Sequence, residues 1–69
     1  MKQAELVRMA NQIADFFKAY PQEQAIDSVA QHVVDFWDPR MKADIGTIVA
    51  QDNSGLSDLA RAGLEKTLS

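Results

Sequence analysis

The amino-acid sequence predicts an all-α protein, a small antiparallel helical hairpin extended to a three- or four-helix bundle. Apolar residues recur at the i, i+3, i+4, i+7 spacing of one helical face in four successive segments. Two proline-containing turns and one polar stretch, residues 51–55, separate these segments. A chain of 69 residues allows one domain at most, so residues 1–69 are predicted to form a single helical domain.

The first two helices form the predicted core hairpin, at about residues 2–37. The first runs from about residue 2 to 19 and stops before Pro21, because the residue preceding a proline is pushed out of the α region. Pro21 also fits the first turn of the second helix, which runs to Trp37. The link is so short that the two helices should be antiparallel neighbours. All five aromatic residues lie between Phe16 and Trp37, which places the expected packing centre where these two helices end.

The third and fourth helices are predicted at about residues 39–50 and 57–68. Asp38 is a good N-cap for the third helix, and Pro39 is a good first helical residue. Gly46 lies inside this helix, at a cost of about 1 kcal/mol relative to alanine. Ser57 can cap the fourth helix. The fourth helix lacks aromatic residues, and the sequence leaves open whether it closes the bundle or is a mobile arm.

The composition argues against nucleic-acid and membrane partners. Seven basic and ten acidic residues give a formal charge of −3, whereas phosphate binding requires clustered lysine and arginine. The apolar runs are far shorter than a membrane span, and the first residues do not resemble a signal peptide. The absence of cysteine fits a reducing compartment. A cytoplasmic location is therefore expected.

The sequence offers no pattern typical of catalysis. Its three glycines form neither a P-loop nor a dinucleotide-binding fingerprint. Residues 52–55 suggest a calcium loop, but Arg61 stands where a bidentate glutamate is needed. One histidine without cysteine cannot make an ordinary zinc site. Ser28, His32 and Asp35 have triad-like spacing, but a helical hairpin offers neither an oxyanion hole nor a water-excluding cleft. We therefore expect no catalytic, cofactor-binding or metal-binding residues on this chain.

The segment Phe36–Met41 has two interpretations. The simpler one is a helix end, a capped turn and two core aromatics. The other adds a protein interface, since tryptophan, arginine and methionine are enriched at interfaces and a small domain without disulfides gains stability from a partner. In that interpretation Trp37 is the apolar anchor, because tryptophan is rarely fully buried in a small domain. Arg40 would pair with Asp38, a partner carboxylate or a cofactor phosphate.

A second candidate surface is the polar edge of the first helix, formed by Arg8, Asn11, Gln12 and Asp15. Its alternative is an ordinary solvated helix face. Together the two surfaces give the predicted partner-binding residues: His32, Phe36, Trp37, Asp38, Pro39, Arg40, Met41, Arg8 and Asn11.

Over roughly residues 6–45 the sequence resembles the delta subunit of NAD-dependent formate dehydrogenases. The resemblance is carried by five stretches: Arg8–Ala14, Phe16-Phe17, Pro21, Ala30–His32 and Phe36–Met41. It implies a non-catalytic accessory subunit of a cytoplasmic molybdenum- or tungsten-containing enzyme, one that docks on the large subunits and assists assembly, stability or molybdenum-cofactor insertion. The resemblance also implies that the larger subunits carry bis-molybdopterin guanine dinucleotide, iron–sulfur clusters and FMN.

Two alternatives to an accessory subunit remain at the level of sequence. One is a free-standing helical regulator, including a helix-turn-helix DNA-binding protein whose recognition helix would offer only Arg40 and Lys42 against Asp44. The other is a self-associating interaction module. Neither alternative excludes a homodimer in isolation.

Overall fold

The computed structural model describes residues 2–51 and 54–68, and these residues form four α-helices. The helices are α1 (Gln3–Phe17), α2 (Gln22–Phe36), α3 (Pro39–Val49) and α4 (Asp58–Leu68). The described residues contain no β-strand. The predicted all-α class is confirmed, and every predicted helix end lies within two residues of the observed one. Asp52 and Asn53, which belong to the predicted loop and the suggested calcium loop, lie outside the described residues, as do Met1 and Ser69.

Pro21 separates α1 from α2, although it lies one position earlier than predicted. The turn after α1 is closed by the Tyr20 N–H, which donates to the Phe17 carbonyl at 3.0 Å. Pro21 has an extended ψ of 146° and is the N-cap of α2, not its first helical residue. Its carbonyl accepts the Ala25 N–H at 2.8 Å. Because proline has no N–H to lose, its ring is compatible with either position.

The corner between α2 and α3 is fixed by a side-chain cap. Trp37 leaves the helix with extended backbone angles, φ −91° and ψ 135°, while its N–H still donates to the Val33 carbonyl. The Asp38 carboxylate then accepts the Met41 N–H at 2.8 Å, and Pro39 is at the start of α3. The predicted N-cap and first helical residue are both confirmed.

Helix α4 closes the bundle, so the alternative of a mobile arm is wrong. The most extensive helix–helix contact in the molecule is between α2 and α4, not between α1 and α2. A Cβ atom at Gly63 would lie 2.4 Å from Val29 Cγ1, closer than two non-bonded carbon atoms can approach. Glycine at this position therefore permits the close approach of α4 to α2. The Ser57 hydroxyl caps α4 by accepting the Ala60 N–H at 3.2 Å.

The core is aliphatic, and the prediction of an aromatic packing centre is wrong. All four helices and the α2–α3 corner contribute buried residues: Leu6, Ala10, Ala14, Val29, Val33, Trp37, Ile45, Ile48, Ala60 and Leu64. Trp37 is the one aromatic residue among them. Alanines allow the helices to approach one another closely, which leaves little space between them for phenylalanine rings.

Two polar side chains hold the segment between α3 and α4 against the bundle. The Arg61 guanidinium donates to the Val49 carbonyl at 2.6 Å and to the Gln51 carbonyl at 3.0 Å. The Asn11 side chain donates to the Gly55 carbonyl at 3.0 Å and accepts the Ser57 N–H at 2.8 Å. α1 is thereby tied to the start of α4.

Candidate functional site

An open apolar groove of about 840 Å³ lies between the second half of α1 and the α2–α3 corner. Seven of its nine lining residues are apolar, and Gln12 and His32 are the two polar ones. The full lining is Met9, Gln12, Ile13, Phe16, Phe17, His32, Phe36, Trp37 and Met41. We call this feature the Phe16–Phe36 groove, after its two exposed phenylalanines. A concave apolar surface with few polar groups is typical of binding sites.

One wall of the groove is a stripe along α1. It begins at Met9 and ends at Phe17, with the i, i+3, i+4, i+7, i+8 spacing of one helical face. Eight residues of helix rise about 12 Å, so this wall is roughly two turns long. The Phe16 and Phe17 rings meet edge to face, with centroids 5.0 Å apart. Phe17 is half-buried, whereas Phe16 is 72% exposed.

The opposite wall is built by the end of α2 and the corner after it. Phe36 is 73% exposed, and its ring lies against the His32 imidazole at a centroid distance of 4.7 Å. Trp37 is 5% exposed and belongs to the core, with part of its side chain lining the groove. The prediction of Trp37 as an exposed anchor is therefore wrong. Because α2 ends at Phe36, the extended Trp37 backbone turns the indole inward, and Phe36 takes the exposed position.

Three further predicted residues lie on the corner beside the groove. Asp38 and Pro39 are exposed and shape the start of α3. Arg40 is exposed and makes no hydrogen bond or ion pair with any described residue, so the pairing with Asp38 that the sequence suggested is not formed. The ion pair found among the described side chains joins Lys66 to Asp27. The Arg40 guanidinium is thus directed to solvent, next to the groove residue Met41.

The two predicted residues on the polar edge of α1 lie in a neighbouring depression, not in the groove. Arg8 is exposed and shares this depression with Asp15. Both polar groups of the Asn11 side chain are occupied by the segment 55–57, so Asn11 is a structural residue of the folded chain. Gln12 lines both the depression and the groove, and the two surfaces are therefore contiguous.

The residues with triad-like spacing do not form a triad. Asp35 accepts a hydrogen bond from the Gln31 amide at 2.9 Å, and His32 is hydrogen-bonded to neither Asp35 nor Ser28 in the described structure. Within residues 2–51 and 54–68, no three His, Cys, Asp or Glu side chains come close enough to hold a metal ion. In the same ranges, no helix is both long and apolar enough to cross a membrane.

The α1 wall of the groove was missed from the sequence, although a signal for it exists. The core stripe of α1 uses Leu6, Ala10 and Ala14, which are spaced four residues apart. Met9 and Phe16 belong to a second apolar stripe beside the first. An apolar arc wider than one core face indicates that a helix contacts something on two sides.

The family model described as NADH-dependent formate dehydrogenase delta subunit FdsD matches residues 5–64. The match therefore includes nearly all of α1, the α2–α3 corner and much of α4, beyond the part of the chain that carries the resemblance. No curated protein and no solved structure matches the chain.

Proposed function

Because the chain belongs to the FdsD family of NADH-dependent formate dehydrogenase delta subunits, we propose that it is a non-catalytic accessory subunit that docks on larger subunits. A delta subunit of a multi-subunit enzyme implies larger partner subunits. The observation that carries the docking role is the Phe16–Phe36 groove, whose two phenylalanines are both more than 70% exposed.

The exposure of these two rings favours a covered state. Burying a phenylalanine side chain contributes about 1.5–3 kcal/mol, and the folded chain leaves Phe16 and Phe36 largely in water. Isolated apolar side chains on a surface are common, but contiguous exposed apolar patches mark interaction sites. Here two exposed rings flank one concave surface. A partner that covers the groove would bury both rings, and the complex would gain the burial free energy that the free chain lacks.

Docking at this face would support the enzyme in assembly, stability or molybdenum-cofactor insertion. In this proposal the larger subunits carry bis-molybdopterin guanine dinucleotide, iron–sulfur clusters and FMN, and the complex is cytoplasmic. In this proposal the chain contributes a docking surface to the complex and no catalytic group. Arg40 supplies a charge-assisted contact to a partner carboxylate or to a cofactor phosphate, since its guanidinium has no partner among the described residues.

The proposal is tested by expressing the formate dehydrogenase subunits with and without this chain. We expect the chain to co-purify in a fixed ratio with the larger subunits. Its omission should lower the yield of intact complex, the molybdenum content or the rate of NAD reduction by formate. A chain that never co-purifies, or that oxidises formate by itself, would contradict the proposal.

A further inference from the structure

One groove wall is α1 and the other is the end of α2 with the corner after it, and this restricts what can lie in the groove. Backbone N–H and C=O groups inside α1 and α2 bond within their own helices, so an extended strand would find no hydrogen-bonding edge there. The α1 wall presents a stripe about two turns long from Met9 to Phe17. A helix of two to three turns, with apolar residues at i, i+3 or i+4, and i+7, matches this length and spacing.

The side chains in the groove suit a helix more than a small polar ligand. The half-buried methionines Met9 and Met41 are at the groove surface, and methionine adapts its shape to apolar partners. Among the lining residues, polar side-chain groups are limited to those of Gln12 and His32 and to the indole N–H of Trp37. A polar small molecule would therefore lack convergent hydrogen-bond partners, whereas leucine-sized side chains would be accommodated.

The charge beside the groove indicates the chemistry of the occupant. Phe17, His32 and Phe36 also border a shallow extension of the groove, whose remaining lining residues are Ser28, Gln31 and Asp35. Asp35 is exposed and is the one charged residue of this extension. A lysine or arginine on the occupant would form a charge-assisted contact there.

A second copy of the chain fits the groove poorly. The other large apolar side chains exposed on the described residues are Tyr20, Val34 and Leu68. They lie on a turn, on α2 and at the end of α4, so outside the groove itself a second copy offers no i, i+3, i+4 ridge that could enter the groove. Each copy also carries a formal charge of −3, which disfavours close pairing.

Resting on the docking role proposed above, we propose that the Phe16–Phe36 groove binds one amphipathic α-helix of a larger formate dehydrogenase subunit. The apolar side chains of this helix lie between Phe16 and Phe36. A basic side chain of the helix contacts Asp35. The partner is thus defined by its chemistry: two to three helical turns, an apolar face and a lysine or arginine beside that face.

Photo-crosslinking in the purified complex tests the proposal. A benzophenone amino acid replaces Phe36, and matched control chains carry it at Val34 or Tyr20, which are exposed but outside the groove. We expect the adduct from position 36 to map to one helical segment of one larger subunit, with the apolar spacing given above. The control positions should not label that segment.

A binding measurement with the full chain tests the charge contact. A synthetic peptide with the sequence of the crosslinked segment should bind the chain, and Phe36→Ala should weaken binding about 10- to 100-fold. Asp35→Lys should weaken it about tenfold. Glu65→Lys is the matched control, because Glu65 is an exposed acid on α4 outside the groove, and it should leave the affinity unchanged.

The outcomes separate this inference from the docking role. If the chain co-purifies but the position 36 adduct maps to an extended segment or to a second copy, the helix assignment is overturned and the docking role stands. If position 34 crosslinks to the larger subunits and position 36 does not, the groove is not the binding site, and the docking role still stands. If the chain is absent from the complex altogether, both are overturned.

Discussion

Phe36 and Trp37 are neighbours in the sequence with opposite environments. The Phe36 ring is largely in solvent, whereas Trp37 belongs to a buried cluster to which all four helices contribute. The difference arises because the backbone leaves the helix between them. The two residues therefore have different roles. Phe36 is available to a partner, and Trp37 stabilises the fold.

The different burial of Phe36 and Trp37 predicts different effects of alanine substitution on stability. Trp37→Ala should lower the free energy of unfolding by about 3–5 kcal/mol, which equals the whole stability expected of a core this size. Phe36→Ala should change it by less than about 1 kcal/mol, because surface substitutions have small effects. Urea titration followed by circular dichroism measures both. Equal losses for the two variants would contradict the placement of Trp37 in the core.

Arg40 provides a prediction in which stability and binding change in different directions. It lies in the first turn of α3, where a positive charge opposes the helix dipole. Arg40→Ala should therefore leave thermal stability unchanged or slightly raised, while complex assembly weakens several-fold. Lys18→Ala is the control, since Lys18 is exposed and borders a depression facing α4. If both variants assemble into the complex equally well, Arg40 does not contribute to the interface.

At this scale the sequence predicted the α2–α3 corner but not which of its side chains are exposed. The cap by Asp38 and the position of Pro39 follow from local chemistry, and both were predicted correctly. The orientation of Trp37 depends on where α2 ends relative to the core, which the apolar spacing alone does not determine. The Asn11 side chain forms hydrogen bonds with residues 44 and 46 positions away. The residues adjacent to Asn11 in the sequence do not indicate such long-range contacts.

The pairing of α2 with α4 is the main organising contact among the helices. Gly63 allows it, because its Cα faces Val29 with no room for a side chain between them. The apolar spacing of the sequence places Gly63 on the inner face of the fourth helix but does not indicate which helix packs against it. That is the reason why the helix ends were predictable from caps and prolines, whereas the choice of partner helix was not.

The two helical glycines should respond oppositely to alanine. Gly63→Ala should destabilise the chain by about 1–3 kcal/mol, because overpacking forces α4 away from α2. Gly46→Ala places its Cβ 3.9 Å from Leu68, an ordinary contact, and should stabilise α3 by up to about 1 kcal/mol. Thermal melts of both variants measure the difference. A shift of the same sign for the two would argue against the close approach at Gly63.

The bundle as a whole depends on its last helix. Core residues Ala60 and Leu64 come from α4, and Arg61 from the same helix holds the end of α3. An isolated hairpin of α1 and α2 would leave Val29 and Ala30 exposed. The hairpin of α1 and α2 therefore shares its core with α4, and both of its helices have the expected bounds.

Deleting α4 should consequently unfold the rest. A chain ending at residue 56 is expected to lose most of its helical circular dichroism, because about 25 cal/mol of stabilisation is lost for each Å² of apolar surface uncovered. The uncovered apolar surface should also bind a hydrophobic dye. The matched control is removal of Leu68 and Ser69 alone, which should leave the fold intact. Retention of cooperative melting in the long deletion would contradict this prediction and show that α1, α2 and α3 fold without α4.

The burial of Trp37 has a practical consequence for spectroscopy. It is the single tryptophan of the chain, it is shielded from water, and part of it forms the groove surface. Its fluorescence should therefore be blue-shifted in the free protein and should change in intensity or anisotropy when a tryptophan-free peptide enters the groove. The molecule thus contains its own optical reporter, and occupancy can be titrated without attaching a dye.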